Sequence, residues 1–217
     1  MPNVKLVGIT TPVISELSST ADMVAYIARV SNPQNQVNTL TASKLLKYLV
    51  KHKHWSPFEM VNLVMEIETT RDIARQILRH RSFSFQEFSQ RYADPTLLGF
   101  TTRETRLQDK KNRQNSLETD DESLKRYWNI KQRQIIHESG LAYQWAIENG
   151  IAKEQARAIL PEGLISSRMY MNGTLRSWIH YCHLRMGVET QKEHREIAEE
   201  CWKIVIDEFP ELRDILI

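Results

Sequence analysis

A dense group of cationic side chains stands in the segment RHRSFSFQEFSQR, residues 79–91. Arg79, His80, Arg81 and Arg91 share this segment with one carboxylate, that of Glu87. Cations held this close repel one another, so an anion bound among them would stabilise the arrangement. Arginine suits phosphate because its planar guanidinium donates paired hydrogen bonds. The segment therefore predicts a site for a phosphate, a nucleotide or another planar anion.

The preceding residues, TRDIARQILRH, have the spacing of an amphipathic helix. On such a helix Arg71, Arg75 and Arg79 follow one another at intervals of four and form one stripe. An isolated stripe of this kind is more often a solvated basic face than a ligand site. Here it continues into Arg81 and a predicted extended strand that ends at Arg91, which favours the anion site.

Two other residues in the segment allow both a structural and a chemical interpretation. Glu87 is either the ion-pair partner of an arginine or an acceptor for ribose hydroxyl groups, and the surrounding cations favour its anionic form. Ser89 has no base beside it in the sequence, so a nucleophile of the Ser-His-Asp type is weakly supported.

Metal and disulfide chemistry have little support. His52 and His54 form an HxH pair, but no carboxylate or third histidine follows at a familiar ligand spacing, and neither HExxH nor CxxC occurs. The two cysteines, Cys182 and Cys201, do not make a disulfide framework, and neither stands in the context of a nucleophile. We expect no metal and a reducing, cytoplasmic setting.

Bulk composition argues against two classes of protein. Lys and Arg number 29 against 27 Asp and Glu, a formal charge of +2, so the chain lacks the cationic excess typical of general nucleic-acid and membrane-surface binders. No apolar run approaches the length of a membrane span, and MPNVKLVGITTPVISEL does not have the pattern of a signal peptide. Any anion site is therefore expected to be local.

The predicted elements mix strands and helices without a regular βαβ alternation. Strands are predicted in NVKLVGIT, VNLVMEIET and LISSRMYM, and helices in SSTADMVAYIARV, TASKLLKYLVKHK, TRDIARQILRH, residues 124–149, AKEQARAIL, TLRSWIHYCHLR and QKEHREIAEECWKIVIDEF. Residues 94–123 are polar and predict a surface excursion. The fold class predicted is α+β (mixed α/β): a single catalytic domain over residues 1–217, with a mainly antiparallel sheet flanked by helices.

The segment RHRSFSFQEFSQR also resembles the signature RHRxxSxxxxSxR of the flavin-dependent thymidylate synthases. Every fixed position is matched, by Arg79, His80, Arg81, Ser84, Ser89 and Arg91. HWSPFEM resembles the family segment H-x-[ST]-P-F-E, and ARVSNP, ARAILP, TLRSW and LRMGVETQKEH follow in the family's order and at about its spacing. The resemblance covers nearly the whole chain apart from residues 94–123.

This resemblance implies a homotetramer of α/β subunits with active sites at the subunit interfaces. Such an enzyme reduces bound FAD with NADPH, takes a methylene group from methylenetetrahydrofolate and converts dUMP to dTMP without a cysteine nucleophile. The arginine cluster would then hold the phosphate of dUMP and the pyrophosphate of FAD side by side.

The resemblance also assigns roles, residue by residue. Arg185 would be catalytic, lying against the uracil and favouring ionisation at N3. Ser89 would act by orienting dUMP, since an unassisted hydroxyl is a weak nucleophile. The dUMP site would comprise Gln76, Arg79, Glu87, Ser89, Gln90, Arg91, Arg157 and Arg185. The FAD site would comprise Ser31, His54, Ser56, Arg79, His80, Arg81, Glu87, Thr174, Arg176 and His180.

Three alternatives stay open at this point. A flavoprotein of the same fold acting on another pyrimidine would lack Arg157 or Arg185, and both are present. A single-stranded RNA-binding protein would use the strip from Arg79 to Arg91 together with QDKKNRQN. A metal hydrolase using His52, His54 and His80 lacks a carboxylate ligand at a suitable spacing.

Overall fold

The computed structural model describes residues 3–213. These residues form a four-stranded antiparallel sheet, flanked by helices. The strands of this sheet stand in the order β1 (Asn3–Ile9), β2 (Asn62–Thr70), β6 (Ser166–Thr174) and β3 (Phe83–Glu87). Every neighbouring pair is antiparallel. The predicted fold class, a single α+β unit with an antiparallel sheet flanked by helices, is confirmed for the described residues.

The helices are α1 (Thr20–Ala28), α2 (Ala42–Lys51), α3 (Arg71–Ile77), α4 (Glu122–Glu148), α5 (Lys153–Ala156), α6 (Leu175–Arg185) and α7 (Lys192–Glu208). Ser19 caps α1 as its sequence predicts, because its hydroxyl accepts from the backbone N–H of Asp22 and the Asp22 carboxylate accepts from that of Ser19, each at 3.0 Å. None of the helices between Asn3 and Arg213 combines the length and apolar character needed to traverse a bilayer.

One face of the sheet builds the main core. Alternate residues of β2, namely Leu63, Met65 and Ile67, are fully buried and pack in one cluster with helices α1, α2, α3, α6 and α7. The opposite face is polar, where Arg168 is ion-paired with Glu68. This alternation is what a half-covered antiparallel sheet requires, because successive side chains of a strand point to opposite faces.

Two strands pass directly into helices, and this fixes where the candidate residues lie. β2 ends at Thr70 and α3 begins at Arg71, while β6 ends at Thr174 and α6 begins at Leu175. Because β2 and β6 are antiparallel, Thr70 is paired with Ser166, and Asn62 with Thr174. The sheet therefore has a Thr70 end, which also holds Glu87, and a Thr174 end, which also holds Asn62 and Phe83.

Two boundaries that bear on the candidate site differ from the sequence prediction. The strand expected to reach Arg91 ends at Glu87, although its partner β6 continues past the paired residue Met169 to Ser166. After Phe88, whose backbone N–H donates to Arg168 O at 2.9 Å, the chain turns, with the backbone N–H of Tyr92 donating to Ser89 O at 3.2 Å. The helix ends at Ile77, so Arg79 does not continue the stripe of Arg71 and Arg75.

Residues 94–123 contain more structure than the surface excursion that was expected. Strands β4 (Arg106–Gln108) and β5 (Ser116–Glu118) form a hairpin. Arg103 anchors the segment by an ion pair with Asp72 at 2.7 Å, and Arg106 forms another with Glu193. The acidic partners are distant in sequence, so composition alone gave no sign of these contacts.

Candidate active site

The turn that joins α3 to β3 carries the cationic triplet of the sequence motif, and α6 packs along it. The hydroxyl of Ser177, in the first turn of α6, donates to the carbonyl oxygen of Ser82 at 3.3 Å. At the other end of α6, Arg185 Nε donates to His80 Nε2 at 2.9 Å. The fold thus brings Arg185 to the segment of Arg79, His80 and Arg81, a contact between residues more than a hundred positions apart that periodicity alone does not predict.

His80 is held as a neutral imidazole. Burial, followed by the charge of Arg185, lowers the pKa of His80 to about 4. The ring also lies edge-on to Tyr181, with 4.8 Å between ring centroids. Because His80 Nε2 accepts only from Nε of Arg185, the two terminal nitrogens of Arg185 remain available to donate to an anion.

Gly173 allows the turn to sit against β6. A Cβ atom at Gly173 would lie 2.3 Å from Cδ1 of Phe83, so only glycine leaves room for this ring. Phe83 in turn lies edge-on to Trp178 of α6, with centroids 4.9 Å apart. This packing fixes the start of β3 immediately after the cationic triplet.

The arginines of the candidate site divide into paired and unpaired groups. Within residues 3–213, four of them have a carboxylate partner: Arg71 with Glu87 at 3.3 Å, Arg75 with Glu162 at 2.6 Å, Arg91 with Glu154 at 3.6 Å, and Arg176 with Glu59. Over the same residues, Arg79, Arg81, Arg157 and Arg185 form no ion pair. These four are the cations that an anionic ligand would neutralise.

A cavity of 280 Å³ lies at the Thr70 end of the sheet. The predicted dUMP residues Gln90 and Arg157 line it, together with Arg71 and Arg75. Gln90 is buried, at 5% exposure. Glu87 reaches the same end, where its carboxylate accepts from Arg71 and from the hydroxyl of Ser167 at 2.8 Å. Four of the predicted dUMP residues (Glu87, Ser89, Gln90 and Arg157) therefore lie in or beside this region, joined by Arg71, which the sequence interpretation had not assigned.

Of the predicted flavin residues, Glu87 lies toward the Thr70 end, and the others gather toward the opposite, Thr174 end. Thr174 caps α6 by accepting from the Ser177 backbone N–H at 3.1 Å. Arg176 pairs with Glu59, and the ring of His180 lies 4.8 Å from that of Trp55, edge-on. Burial, and then the charge of Arg176, lowers the pKa of His180.

Ser31 and His54 lie on the approach to this end. Ser31 and Tyr48 line a cavity of 440 Å³ between α1 and α2, and the Tyr48 ring is 6.2 Å from that of His54. Both His54 and Ser56 are exposed. Neighbouring segments of the fold thus carry the predicted flavin residues Ser31, His54, Ser56, Thr174, Arg176 and His180.

In a single chain the two groups are separated by the length of β3. Phe83 stands at the Thr174 end and Glu87 toward the Thr70 end, about 13 Å apart at the usual rise of a strand. Arg79, His80 and Arg81 lie at the start of β3, and Glu87 and Ser89 at its far end. Within the described residues, no hydrogen bond or ion pair joins Arg157 or Ser89 to the flavin group.

A chain of side-chain hydrogen bonds surrounds Gln76, which the sequence assigned to the dUMP site. Its Nε2 donates to Gln191 Oε1 at 2.8 Å, and its Oε1 lies 3.3 Å from Nδ1 of His194. His194 is fully buried, and its Nε2 is 3.1 Å from the hydroxyl of Tyr181. His194 and Tyr181 were not predicted as site residues, since only folding brings α3, α6 and α7 together here.

Two other features do not contribute a site. A cleft of 540 Å³ is lined by Arg103, Arg168 and Lys192, whose charges are already paired with carboxylates. Across residues 3–213 there is no cluster of three histidine, cysteine or acidic side chains suited to a metal ion, so the metal-hydrolase alternative has no ligand set in the described chain.

The buried histidines predict an acid-sensitive fold. Burial, with smaller effects of Arg185 and His80, lowers the pKa of His194 to about 3. In the unfolded chain the imidazole would titrate near its ordinary value of about 6.5. The unfolded state therefore binds more protons between these values, and stability falls as the pH drops below about 6.5, at most about 1.4 kcal/mol per pH unit from this residue.

Urea unfolding between pH 7.5 and pH 4.5 measures this effect. The unfolding free energy should decline toward acid, and the decline should be shallower in the variant His194→Asn, which cannot titrate there. Equal slopes in the two proteins would contradict the buried, neutral state of His194.

Comparison with known proteins gives a consistent result. A family model described as thymidylate synthase complementing protein matches residues 12–211. A flavin-dependent thymidylate synthase of Synechocystis sp. is 49% identical over 211 residues, which cover 96% of each chain. A probable flavin-dependent thymidylate synthase of Paramecium bursaria Chlorella virus 1 is 48% identical over 212 residues, covering 98% of this chain and 97% of the viral one.

A solved structure shares the fold. A UMP/dUMP methylase, PolB from Streptomyces cacaoi, in a crystal structure with 5-Br dUMP, superposes with a TM-score of 0.82. The alignment covers 97% of this chain and 92% of the other, at 24% sequence identity. Identity at this level supports the architecture alone, so the function rests on the family and on the site.

Proposed function

The chain belongs to the thymidylate synthase complementing protein family, the flavin-dependent thymidylate synthases, and we propose that its unpaired arginines hold the anionic ligands of that reaction. The enzyme converts dUMP to dTMP. It takes the carbon from methylenetetrahydrofolate, and FAD reduced by NADPH provides the hydride. The observation that carries the proposed site is that Arg79, Arg81, Arg157 and Arg185 have no ion-pair partner within residues 3–213.

The cavity at the Thr70 end is assigned to dUMP. Arg157 is half-buried and unpaired beside Gln90, in a space of 280 Å³ whose other two cations, Arg71 and Arg75, are already paired with carboxylates. A phosphate here would accept charge-assisted hydrogen bonds from Arg157. Glu87, held by Arg71 and Ser167, keeps oxygen lone pairs for a ribose hydroxyl.

The Thr174 end is assigned to FAD. Its side chains fit a dinucleotide, because the unpaired Arg79 and Arg81 are exposed beside Ser82, and the start of α6 lies against that turn. His54, Ser56 and His180 add exposed hydrogen-bonding groups, and the cavity at Ser31 adds a concave surface nearby. When bound, reduced FAD supplies the redox chemistry, and this chain supplies binding and orientation.

Arg185 is assigned the electrostatic role. Its Nε is fixed on neutral His80, which leaves its terminal nitrogens free and its charge uncompensated by any carboxylate of residues 3–213. A guanidinium held against the uracil favours loss of the N3 proton, and the resulting anion makes the ring carbon C5 more nucleophilic. This requires no cysteine, and both cysteines are fully buried, with thiol pKa values raised by burial.

Ser89 is assigned to orientation. Its hydroxyl oxygen accepts weakly from the backbone N–H of Arg91 at 3.4 Å, and no histidine or carboxylate within residues 3–213 is hydrogen-bonded to it. We expect Ser89→Ala to retain measurable dTMP formation, with a raised KM for dUMP, in steady-state assays. Complete loss of turnover while dUMP still binds would instead favour a nucleophilic serine.

The separation of the two ligand groups supports a proposed assembly of several copies. Since the dUMP residues Gln90 and Arg157 and the FAD residues Thr174, Arg176 and His180 lie toward opposite ends of β3 in one chain, a site that brings the two ligands together needs residues from another copy. The 27-residue helix α4 presents the apolar surface for such contacts, with Tyr127 and Trp145 each 60% exposed and Ile135 55% exposed. A homotetramer with active sites at its interfaces accounts for both features.

The RNA-binding alternative is not supported. The family and its named members are enzymes. The strip from Arg79 to Arg91 that would contact RNA is also less cationic than its sequence suggests, because Arg91 is paired with Glu154 in the fold.

Formation of dTMP tests the proposed function. The purified protein is incubated with dUMP, methylenetetrahydrofolate, FAD and NADPH, and the nucleotide product is identified by mass; UMP replaces dUMP in a parallel reaction. We expect dTMP, and omission of FAD or of the folate should prevent it. Methylation of UMP in place of dUMP would favour the alternative of another pyrimidine substrate.

A further inference from the structure

In the hydrogen-bond chain at Gln76, Glu193 determines which group donates and which accepts at each contact. Glu193 Oε1 accepts a hydrogen bond from Arg106, and Glu193 Oε2 accepts one from Gln191 Nε2 at 2.9 Å. Burial alone would raise the pKa of Glu193, but the bond from Arg106, together with its own backbone, Gln191 and Arg103, lowers it to about 2. The carboxylate is therefore ionised and can only accept hydrogen bonds.

This fixes the amide of Gln191 and then that of Gln76. Since Gln191 must direct Nε2 at Glu193, its Oε1 faces Gln76 and requires a donor there. Gln76 must consequently direct Nε2 at Gln191 and Oε1 at His194. The reverse orientation of either amide would place two acceptors or two donors against each other, and at the part-buried contact of Gln76 with His194 this costs stability.

His194 completes the chain. For Gln76 Oε1 to be satisfied, the proton of the neutral imidazole must be on Nδ1, and Nε2 must then accept from the hydroxyl of Tyr181. The ring is fully buried, and it lies between Tyr181, with centroids 5.8 Å apart, and His80, at 6.2 Å. Every member of the chain thus has a donor matched to an acceptor.

We propose that His194 is a positioning residue, which holds the Gln76 carboxamide so that its one remaining N–H is presented to the nucleotide. Gln76 has two N–H groups, of which Gln191 takes one. The other is available to a uracil or ribose oxygen. This inference rests on the proposed function, through the assignment of Gln76 to the dUMP site.

The test is dUMP binding by calorimetry to the holoenzyme. His194→Leu removes both hydrogen bonds and frees the Gln76 amide to rotate, so we expect dUMP to bind about tenfold more weakly. His194→Asn retains a donor close to the position of Nδ1 and should recover most of the affinity. His183→Leu is the matched control, because His183 is a half-buried histidine of α6 whose ring packs on Trp202, and within residues 3–213 it has no hydrogen bond or ring contact with Gln76 or Tyr181.

A double-variant cycle separates positioning from general loss of structure. If His194 acts through Gln76, His194→Leu should change dUMP affinity less than twofold in a Gln76→Ala background. Should His194→Leu fail to fold, dUMP binding is measured in Tyr181→Phe instead. Without the Tyr181 hydroxyl the proton of His194 is no longer restricted to Nδ1, and this should weaken dUMP binding about threefold.

The following results would overturn the inference about His194. Unchanged affinity in His194→Leu, or in Tyr181→Phe where it serves instead, would overturn the inference. So would an equal loss with and without Gln76, since His194 would then act on the fold at large. Failure of the wild-type holoenzyme to bind dUMP would overturn the proposed function itself, and with it the inference.

Discussion

Replacement of Arg185 by alanine is expected to reduce dTMP formation at least about a hundredfold, the usual cost of removing a preorganised donor to a developing anion. The guanidinium is fixed by its bond to His80 and has no acidic partner within residues 3–213, so its charge is available to the uracil. Because its role is to stabilise the ionised ring, kcat should fall more than dUMP affinity. The measurement is kcat and KM for dUMP in steady-state assays.

Two controls accompany this variant. Arg185→Lys retains the charge but not the planar donor set, and should recover only part of the activity. Arg113→Ala removes an exposed arginine from the β4–β5 turn and should leave kcat unchanged. Circular dichroism establishes that Arg185→Ala is folded although His80 loses its donor. Wild-type turnover in a folded Arg185→Ala protein would contradict the role of Arg185.

Replacement of Arg157 by alanine is expected to weaken dUMP binding about tenfold to a hundredfold, since a hydrogen bond to a charged group contributes about 1.5–3 kcal/mol. Arg157 is the unpaired cation of the cavity at the Thr70 end, whereas Arg71 and Arg75 are already neutralised. The Kd for dUMP of the holoenzyme, by calorimetry, measures the effect.

The salt dependence of binding gives a second measure of the same contact. Phosphate contacts at a half-exposed site are partly screened, so dUMP affinity of the wild type should fall as salt rises, and fall less steeply in Arg157→Ala. Deoxyuridine, which lacks the phosphate, should bind both proteins equally. A Kd for dUMP unchanged by Arg157→Ala would assign the phosphate to other residues.

Local pattern was sufficient for the elements themselves. The alternation of VNLVMEIET and the capping box at Ser19 and Asp22 are determined by neighbouring residues, and both predictions are confirmed. The strand through Phe85 was also predicted, but its end was placed at Arg91 and not at Glu87. The start of the partner strand β6 does not set that limit, because β6 continues to Ser166; the chain turns after Phe88, where the backbone N–H groups of Tyr92 and Ala93 donate to Ser89 O.

In the candidate site, too, the local motif could be predicted from the sequence, whereas the long-range contacts could not. The cationic motif was visible at once, yet which of its arginines are free depends on distant acids: Glu154 pairs with Arg91 and Glu162 with Arg75. The contact of His80 with Arg185 and that of Gln76 with His194 join segments more than a hundred residues apart. No sequence period relates such positions, so these contacts become visible only when α3, α6 and α7 pack together.

The most direct test of the central claim is the visible absorption spectrum of the purified protein, recorded without oxygen before and after addition of NADPH, with and without dUMP. The account predicts a flavin band that NADPH bleaches, and faster bleaching when dUMP is present, because the two ligands share one site. A protein that carries no flavin and does not bind added FAD would contradict the assignment of the Thr174 end, and with it the proposed reaction.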